Sequence, residues 1–214
     1  MPNSLGWMVE PTSPRNRSPY QNNAFALMRE GVLDAMQRLL VERKWSTITM
    51  ADVAKEAGIS RGTLYNEFGT RRGLARSYAL RLTDSIITGM ESAVETHPGD
   101  GYGTLRSAFS EFFARADSDP LVCALRTEDA PNDLLRMITV ESQFIVDYAA
   151  EHLAAIFERS WVRANAIDAN VLGQTIARAA LSFLALPPIG ADDAAKTIAH
   201  VLAPFVTSIG RERR

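Results

Sequence analysis

The stretch Thr49-Met50-Ala51-Asp52-Val53-Ala54-Lys55-Glu56-Ala57-Gly58-Ile59-Ser60-Arg61-Gly62-Thr63-Leu64-Tyr65-Asn66-Glu67-Phe68 reads as two short helices joined by a tight turn. Thr49 is a good N-cap for a helix over Met50–Ala57, because its hydroxyl can accept from backbone N–H groups that have no intrahelical partner. Gly58 ends that helix, since glycine enters the left-handed region without steric cost. Ser60 caps the next helix, Arg61–Phe68, and Gly69 closes it. Val53, Ala54, Ala57, Ile59, Leu64 and Phe68 supply the inner faces, and the small Ala54 and Ala57 let the helices approach closely. With Leu64 and Phe68 inward, Gly62, Thr63 and Asn66 project outward, Arg61 lies at the N-terminal tip and Tyr65 on the flank. Such a pair can be a plain hairpin in a core. The outward set of Arg, Gly, Thr, Tyr and Asn decides otherwise, because these are poor core residues and good partners for DNA. A helix presented this way fits the major groove. Arg61 can pair bidentately with guanine, and the Thr63 methyl can touch a thymine methyl. Gly62 lets the backbone come close, while Tyr65 and Thr70 are placed for phosphate oxygens, which fix register without reading sequence.

Outward from this stretch, helical spacing recurs and strand signals are nearly absent. A first helix is expected over about Asn22 to Arg43, with Phe25, Met28, Val32, Met36 and Leu39 as its apolar stripe. Thr70 caps a long fourth helix reaching about His97, which serves as a terminal cap residue before the breaker Pro98-Gly99-Asp100-Gly101. A fifth helix over Thr104 to Ala116 carries Leu105, Ala108, Phe109 and Phe112 on one face, and a short sixth begins at Pro120. Residues 132–160 read as one long, central seventh helix, because their apolar positions cover more than one face. An eighth runs from about Asp168 to Leu186, stopped by Pro187-Pro188, and a ninth from Asp192 to Ser208. The expected fold is therefore all-α, with about nine helices: a three-helix N-terminal domain carrying the helix-turn-helix, and a larger C-terminal helical bundle. The divisions are a flexible arm over 1–21, a DNA-binding domain over 22–82 and a C-terminal domain over 83–214. The arm, with Arg15 and Arg17 among prolines, suits either minor-groove contact or an inert tail.

Composition narrows the function classes. The chain has 214 residues, is 46% hydrophobic and carries a net charge of −2. Residues 1–82 hold twelve Lys and Arg against seven Asp and Glu, and the remainder eleven against eighteen. A basic N-terminal portion suits phosphate binding. No apolar run long enough to span a membrane and no secretory h-region is found, so neither membrane insertion nor export is expected. The lone Cys123 sits among apolar residues, which points to a buried structural thiol in a reducing cytoplasm. His97, His152 and His200 are scattered, and no HExxH, CxxC, Walker loop or nucleophile elbow occurs. No catalytic residue, cofactor or metal site is expected.

Thr49…Val53-Ala54…Ala57-Gly58-Ile59-Ser60-Arg61-Gly62-Thr63-Leu64-Tyr65…Phe68…Thr70-Arg71…Leu74 resembles the pattern of the TetR family of bacterial transcriptional regulators. The resemblance covers residues 22–82, and beyond them only helix number and length. It implies base-facing roles for Arg61, Gly62 and Thr63, and backbone roles for Thr49, Tyr65, Arg71 and Arg72, with Ser60, Asn66 and Thr70 on the same surface. Two residues depart from the family pattern. Glu67 stands where His, Tyr or Asn is usual; it can accept from cytosine N4 or, the favoured reading, pair with Arg71 at the i+4 spacing. Gly73 stands where an acid usually begins the fourth helix, at a cost of about 1 kcal/mol in helix propensity.

One helix-turn-helix reads few base pairs, so a homodimer on double-stranded operator DNA is expected. Leu172, Ile176, Ala179 and Phe183 form one stripe, and Ile198, Val201, Leu202 and Phe205 another. Such stripes are either plain core or, as the resemblance implies, a four-helix dimer seam. Phe109, Phe112, Phe113, Phe144, Tyr148, Phe157 and Trp161, with Met90 and Met137, permit an apolar pocket. The resemblance implies a small hydrophobic ligand there, lipid-like or fatty-acid-like, that releases a repressor from its operator. A carboxylate end could meet Arg126, Arg136 or Arg178. The competing expectation is a ligand-independent architectural or activating DNA-binding protein, which needs no cavity.

Overall fold

Ten helices and one 3-10 turn make up the regular structure of the computed structural model, which describes residues 19–127, 129–187 and 191–211. They are α1 (Pro19–Glu42), the 3-10 turn Trp45–Thr47, α2 (Met50–Glu56), α3 (Arg61–Phe68), α4 (Arg71–Thr96), α5 (Gly101–Ser118), α6 (Pro120–Leu125), α7 (Asn132–Ile138), α8 (Gln143–Arg159), α9 (Ala166–Ala185) and α10 (Ala191–Arg211). No strand occurs among the described residues. Residues 1–18 of the expected arm lie outside them, and residues 19–21 belong to α1. The division expected at residue 82 falls inside α4, which runs unbroken from one domain into the other.

The expected long seventh helix is two helices. Thr139 leaves the helical region at φ −111°, ψ −95°, Val140 is exposed, and the Glu141 N–H donates back to the Arg136 carbonyl at 2.9 Å. The apolar positions that cover more than one face of an assumed single helix belong to two separate helices.

Helix termini follow local chemistry. Asp100, Asp119 and Asn165 cap α5, α6 and α9 by accepting from backbone N–H groups within the first turn. His97 ends α4 as expected, its Nδ1 3.2 Å from the Ala93 carbonyl. Cys123 corrects an expectation: α6 turns Leu121, Val122 and Leu125 inward, which leaves the thiol exposed.

The N-terminal domain closes over Val32, Met36, Leu39, Trp45, Ile48, Leu64 and Leu74, all buried. In the larger domain α4 packs on α5 and α8, α8 on α9, and α5 on α10. The backbones of α8 and α9 nearly touch: a Cβ at Gly173 would lie 2.8 Å from the Ala150 carbonyl oxygen.

Candidate nucleic-acid interface and apolar cavity

Three hydroxyl caps set the geometry of the helix-turn-helix. Thr49 and Asp52 form a reciprocal box: Thr49 Oγ1 accepts from the Asp52 N–H at 3.2 Å, and Asp52 Oδ2 accepts from the Thr49 N–H at 2.9 Å. The Thr49 side chain, its backbone N–H and then Arg43 hold the Asp52 carboxyl down at about 2. Ser60 Oγ accepts from the Thr63 N–H at 3.0 Å, and Thr70 Oγ1 accepts from the Gly73 N–H at 3.1 Å. Gly58 takes φ +67° between α2 and α3.

This frame leaves Arg61, Gly62, Thr63, Tyr65 and Asn66 exposed on one side of α3, with Leu64 and Phe68 buried on the other. The Thr63 hydroxyl lies 2.8 Å from Ser60 Oγ, so its methyl is the free end. Among the described residues Arg61 makes no ion pair. Thr49, Ser60 and Thr70 are exposed too, but their hydroxyls are engaged as caps.

The basic pair at the start of α4 has partners within the chain. The Arg71 guanidinium lies over the Trp45 ring, 4.6 Å from its centroid. It donates to the Trp45 and Ile48 carbonyls at 3.2 and 3.1 Å and to Asp133 of α7 at 3.4 Å. Arg71 therefore braces the protein. Arg72 is more exposed and pairs with Glu141, between α7 and α8. Glu67 does not meet Arg71. It pairs with Arg29 of α1, whose guanidinium also lies 5.2 Å from the Phe68 ring centroid. Gly73 has a steric reason: a Cβ there would fall 2.0 Å from the Phe68 carbonyl oxygen.

In the larger domain a cavity of about 50 Å³ lies between α4, α5, α6, α7, α8 and α9. Its walls are almost wholly aliphatic, with Leu82, Ile86, Leu121, Ile145 and Leu184 beside Ala79, Ala149, Ala177 and Ala180. Thr83 is its one polar side chain, and that hydroxyl is spent on the Ala79 carbonyl at 2.9 Å. Of the expected pocket residues, Phe112 and Met137 line it. Met90, Phe109, Phe113, Phe144, Tyr148, Phe157 and Trp161 do not. Phe113 stacks on Phe109 and tilts against Phe183, Arg76 covers the Phe144 ring at 4.1 Å, and the Tyr148 hydroxyl donates to Asp84 at 2.7 Å. Met90 and Phe157 are plain core. The sequence signal for the cavity was its alanines, because a void opens where small side chains face one another.

The three arginines considered for a ligand head group are each engaged within the chain. Arg136 pairs with Glu141 at 3.3 Å and Arg178 donates to Gln174 at 3.0 Å. Arg126 pairs with Asp117 at 2.6 Å and donates to the Leu184 carbonyl at 3.0 Å. Arg126 is the one of the three bonded directly to a cavity-wall residue.

The two C-terminal stripes divide. Leu172, Ile176 and Ile198 are buried within their own chain, so they are core. Ala179, Phe183 and Leu202 are half-buried. Val201 at 66% and Phe205 at 38% exposure remain open, as does Val171, which the expected stripe omitted. Among the described residues no helix is long and apolar enough to cross a membrane, and no group of three metal-ligating side chains gathers.

Residues 32–78 match the family described as bacterial regulatory proteins, tetR family, and residues 100–204 match the C-terminal domain of the bacterial tetracyclin repressor. The chain is 43% identical over 198 residues to the HTH-type transcriptional regulator AlkX of Mycobacterium tuberculosis, spanning 92% of this chain and 94% of the relative. It is 39% identical, with a TM-score of 0.79, to the crystal structure of the TetR family repressor AlkX from a Dietzia species, implicated in biodegradation of n-alkanes; the match covers 86% of this chain and 97% of that one. At 18% identity and a TM-score of 0.57, it shares its fold with Thermus thermophilus FadR, a repressor solved with lauroyl-CoA, over 82% of this chain and 93% of that one. By these matches and by its capped helix-turn-helix, the chain belongs to the TetR family of helix-turn-helix transcriptional regulators.

Proposed function

We propose that this regulator works as a homodimeric repressor, released from a palindromic operator by a small hydrophobic ligand with a fatty-acid-like chain. One observation carries the reading: α4 bears the DNA-binding domain at its start and supplies Ala79, Leu82, Thr83 and Ile86 to the cavity wall further along. Contents of the cavity and the attitude of α3 are thus linked through one rigid element. The walls offer no charge, which suits an alkyl chain, and Arg126 is the group a head group at the cavity's edge would meet. The AlkX relative from Dietzia, a repressor implicated in n-alkane biodegradation, is a precedent for regulation tied to hydrocarbon chemistry.

The cavity is small. Ligand pockets commonly hold about 300–1,000 Å³, against about 50 Å³ in this state. An alkyl chain must therefore push the walls apart, and that requirement gives it a preference for one state over the other. Moving a two-state balance from 1:99 to 99:1 takes about 5.5 kcal/mol of differential affinity. At about 0.8 kcal/mol per buried methylene, about seven methylenes suffice. Release should therefore set in between chains of about six and ten carbons. The same small volume is the observation that favours a ligand-independent DNA-binding protein as the second reading.

The test is selection of genomic fragments by the purified protein, beside the Arg61→Ala/Tyr65→Ala variant. A saturated fatty-acid and alkane series is then titrated against the selected fragment. Specific, salt-sensitive binding lost in the variant, with release rising over that chain-length window, is the expected result. Binding without release by any chain selects the second reading, and absence of specific binding overturns both.

A further inference from the structure

Helix α7 puts a cavity wall at its C-terminal end, between an acid at its start and another just beyond it. Met137 and Ile138 line the cavity. At its start, the Asp133 carboxylate accepts from Trp45 Nε1 at 3.0 Å and from Arg71 at 3.4 Å. Just past its end, Glu141 pairs with Arg72 and, at 3.3 Å, with Arg136. Asp133 and Glu141 thus grip the adjacent Arg71 and Arg72, which open α4. Trp45 extends the grip into the helix-turn-helix: it begins the 3-10 turn leading to the Thr49 cap, and Arg71 lies over its ring while bonding its carbonyl and that of Ile48. Arg76, one turn further along α4, lies over Phe144 at the start of α8.

We propose that α7 is the element through which the cavity governs DNA binding, with Asp133 and Glu141 as positioning residues that hold α4 and the Trp45 turn at the angle suited to DNA. An occupant pressing on Met137 and Ile138 displaces both carboxylates together, because they bracket one short helix. The Trp45–Arg71–Asp133 joint then opens and the DNA-binding domain turns. The inference rests on the reading of the cavity as the ligand pocket, and it assigns the coupling to two ion-paired contacts rather than to general movement of α4.

The experiment compares the wild-type chain with Asp133→Ala/Glu141→Gln in two arms, with Asp133→Glu as the conservative control. The first arm uses lauric acid as probe and reads its affinity calorimetrically and its effect on DNA affinity by anisotropy. The double variant should bind lauric acid as the wild type does, while the lauric acid-dependent loss of DNA affinity, typically about 5–150-fold in such systems, collapses towards unity; Asp133→Glu should retain most of it. The second arm needs no ligand: Ala180→Leu, with Ala149→Val as the milder alternative, fills the cavity from α9 or α8. Each folded filling variant, checked by thermal midpoint, should weaken DNA binding in the wild-type background but not in the double variant, and the same holds for a change in Trp45 emission read with Trp7 and Trp161 replaced by phenylalanine. If lauric acid fails to bind while cavity filling still acts through Asp133 and Glu141, the ligand reading falls and the role of α7 stands. If either perturbation acts equally in both backgrounds, or neither filling variant changes DNA affinity, the role of α7 is overturned.

Discussion

Replacing Gly73 by alanine sets two expectations against each other. Helix propensity alone favours alanine by about 1 kcal/mol. The structure opposes it, because the new Cβ would lie 2.0 Å from the Phe68 carbonyl oxygen and 3.2 Å from its carbon. These are backbone atoms, so no side chain can swing aside. The same oxygen accepts from the Thr70 N–H at 2.7 Å. Opening the contact by more than an ångström strains that bond, worth about 1 kcal/mol, and adds an overpacking penalty of about 1–3 kcal/mol. Set against the propensity gain, the net is a loss of about 1–3 kcal/mol. For a chain of this size that lowers the thermal midpoint by about 2–4 °C per kcal/mol. Gly73→Glu restores the acid usual in the family and gains about 0.3–1 kcal/mol at the helix N-terminus, yet it too should destabilise. The assay is paired thermal and urea denaturation at one fixed protein concentration, since the proposed dimer would couple stability to concentration. A raised midpoint for Gly73→Ala, with an unchanged urea slope, would refute the claim that α4 begins in contact with the Phe68 carbonyl.

Two further outcomes are expected. Val201→Asp/Phe205→Asp should turn the proposed dimer into monomer without loss of helical content, because both side chains face outward on α10 and a buried carboxylate at a seam is costly unless paired; sedimentation velocity with circular dichroism reads both, and an intact dimer sinks the assignment of the seam. Tyr78→Phe should cost about 1–3 kcal/mol, since its hydroxyl donates to the buried Asp119, which in turn caps α6; a denaturation midpoint equal to wild type would contradict the hydrogen bond. Burial, then the neighbouring Asp119 charge, pushes the Tyr78 phenol above its ordinary range, so this bond keeps its proton through the neutral range and its contribution disappears only in strong alkali.

The helix-turn-helix could be read from sequence because its determinants are local. Thr49 meets Asp52, Ser60 meets Thr63, and Gly58 turns the chain between them, all within a few residues. The partners of Arg71 and Arg72 could not be read the same way, since Asp133 and Glu141 arrive from another domain. The cavity escaped for a different reason. Aromatic side chains fill space, so a search for them finds core, whereas the void lies where Ala79, Ala149, Ala177 and Ala180 face one another. On α9, the proposed seam would need one apolar face for its own core and another for a partner. The expected stripe captured the inner face at Leu172 and Ile176, and the outer one begins a single position away, at Val171.

Glu67 and Gly73, the two departures from the family pattern, have a common physical explanation at the corner between α3 and α4. The i+4 rule that pairs Glu67 with Arg71 holds only within one continuous helix. Gly69, at φ +68°, separates α3 from α4, so the spacing no longer places the two side chains together. Glu67 is left against Arg29, its side chain only 12% exposed, and that guanidinium also covers Phe68 and reaches Ser77 at 3.4 Å. A carboxylate held this way is compensated within the protein. Gly73 meanwhile lets α4 begin against the Phe68 carbonyl. Both departures fasten the end of the recognition helix, one to α1 and one to α4. What remains for sequence reading is the opposite end, Arg61 to Asn66, where exposed side chains project from a helix whose far end is fixed.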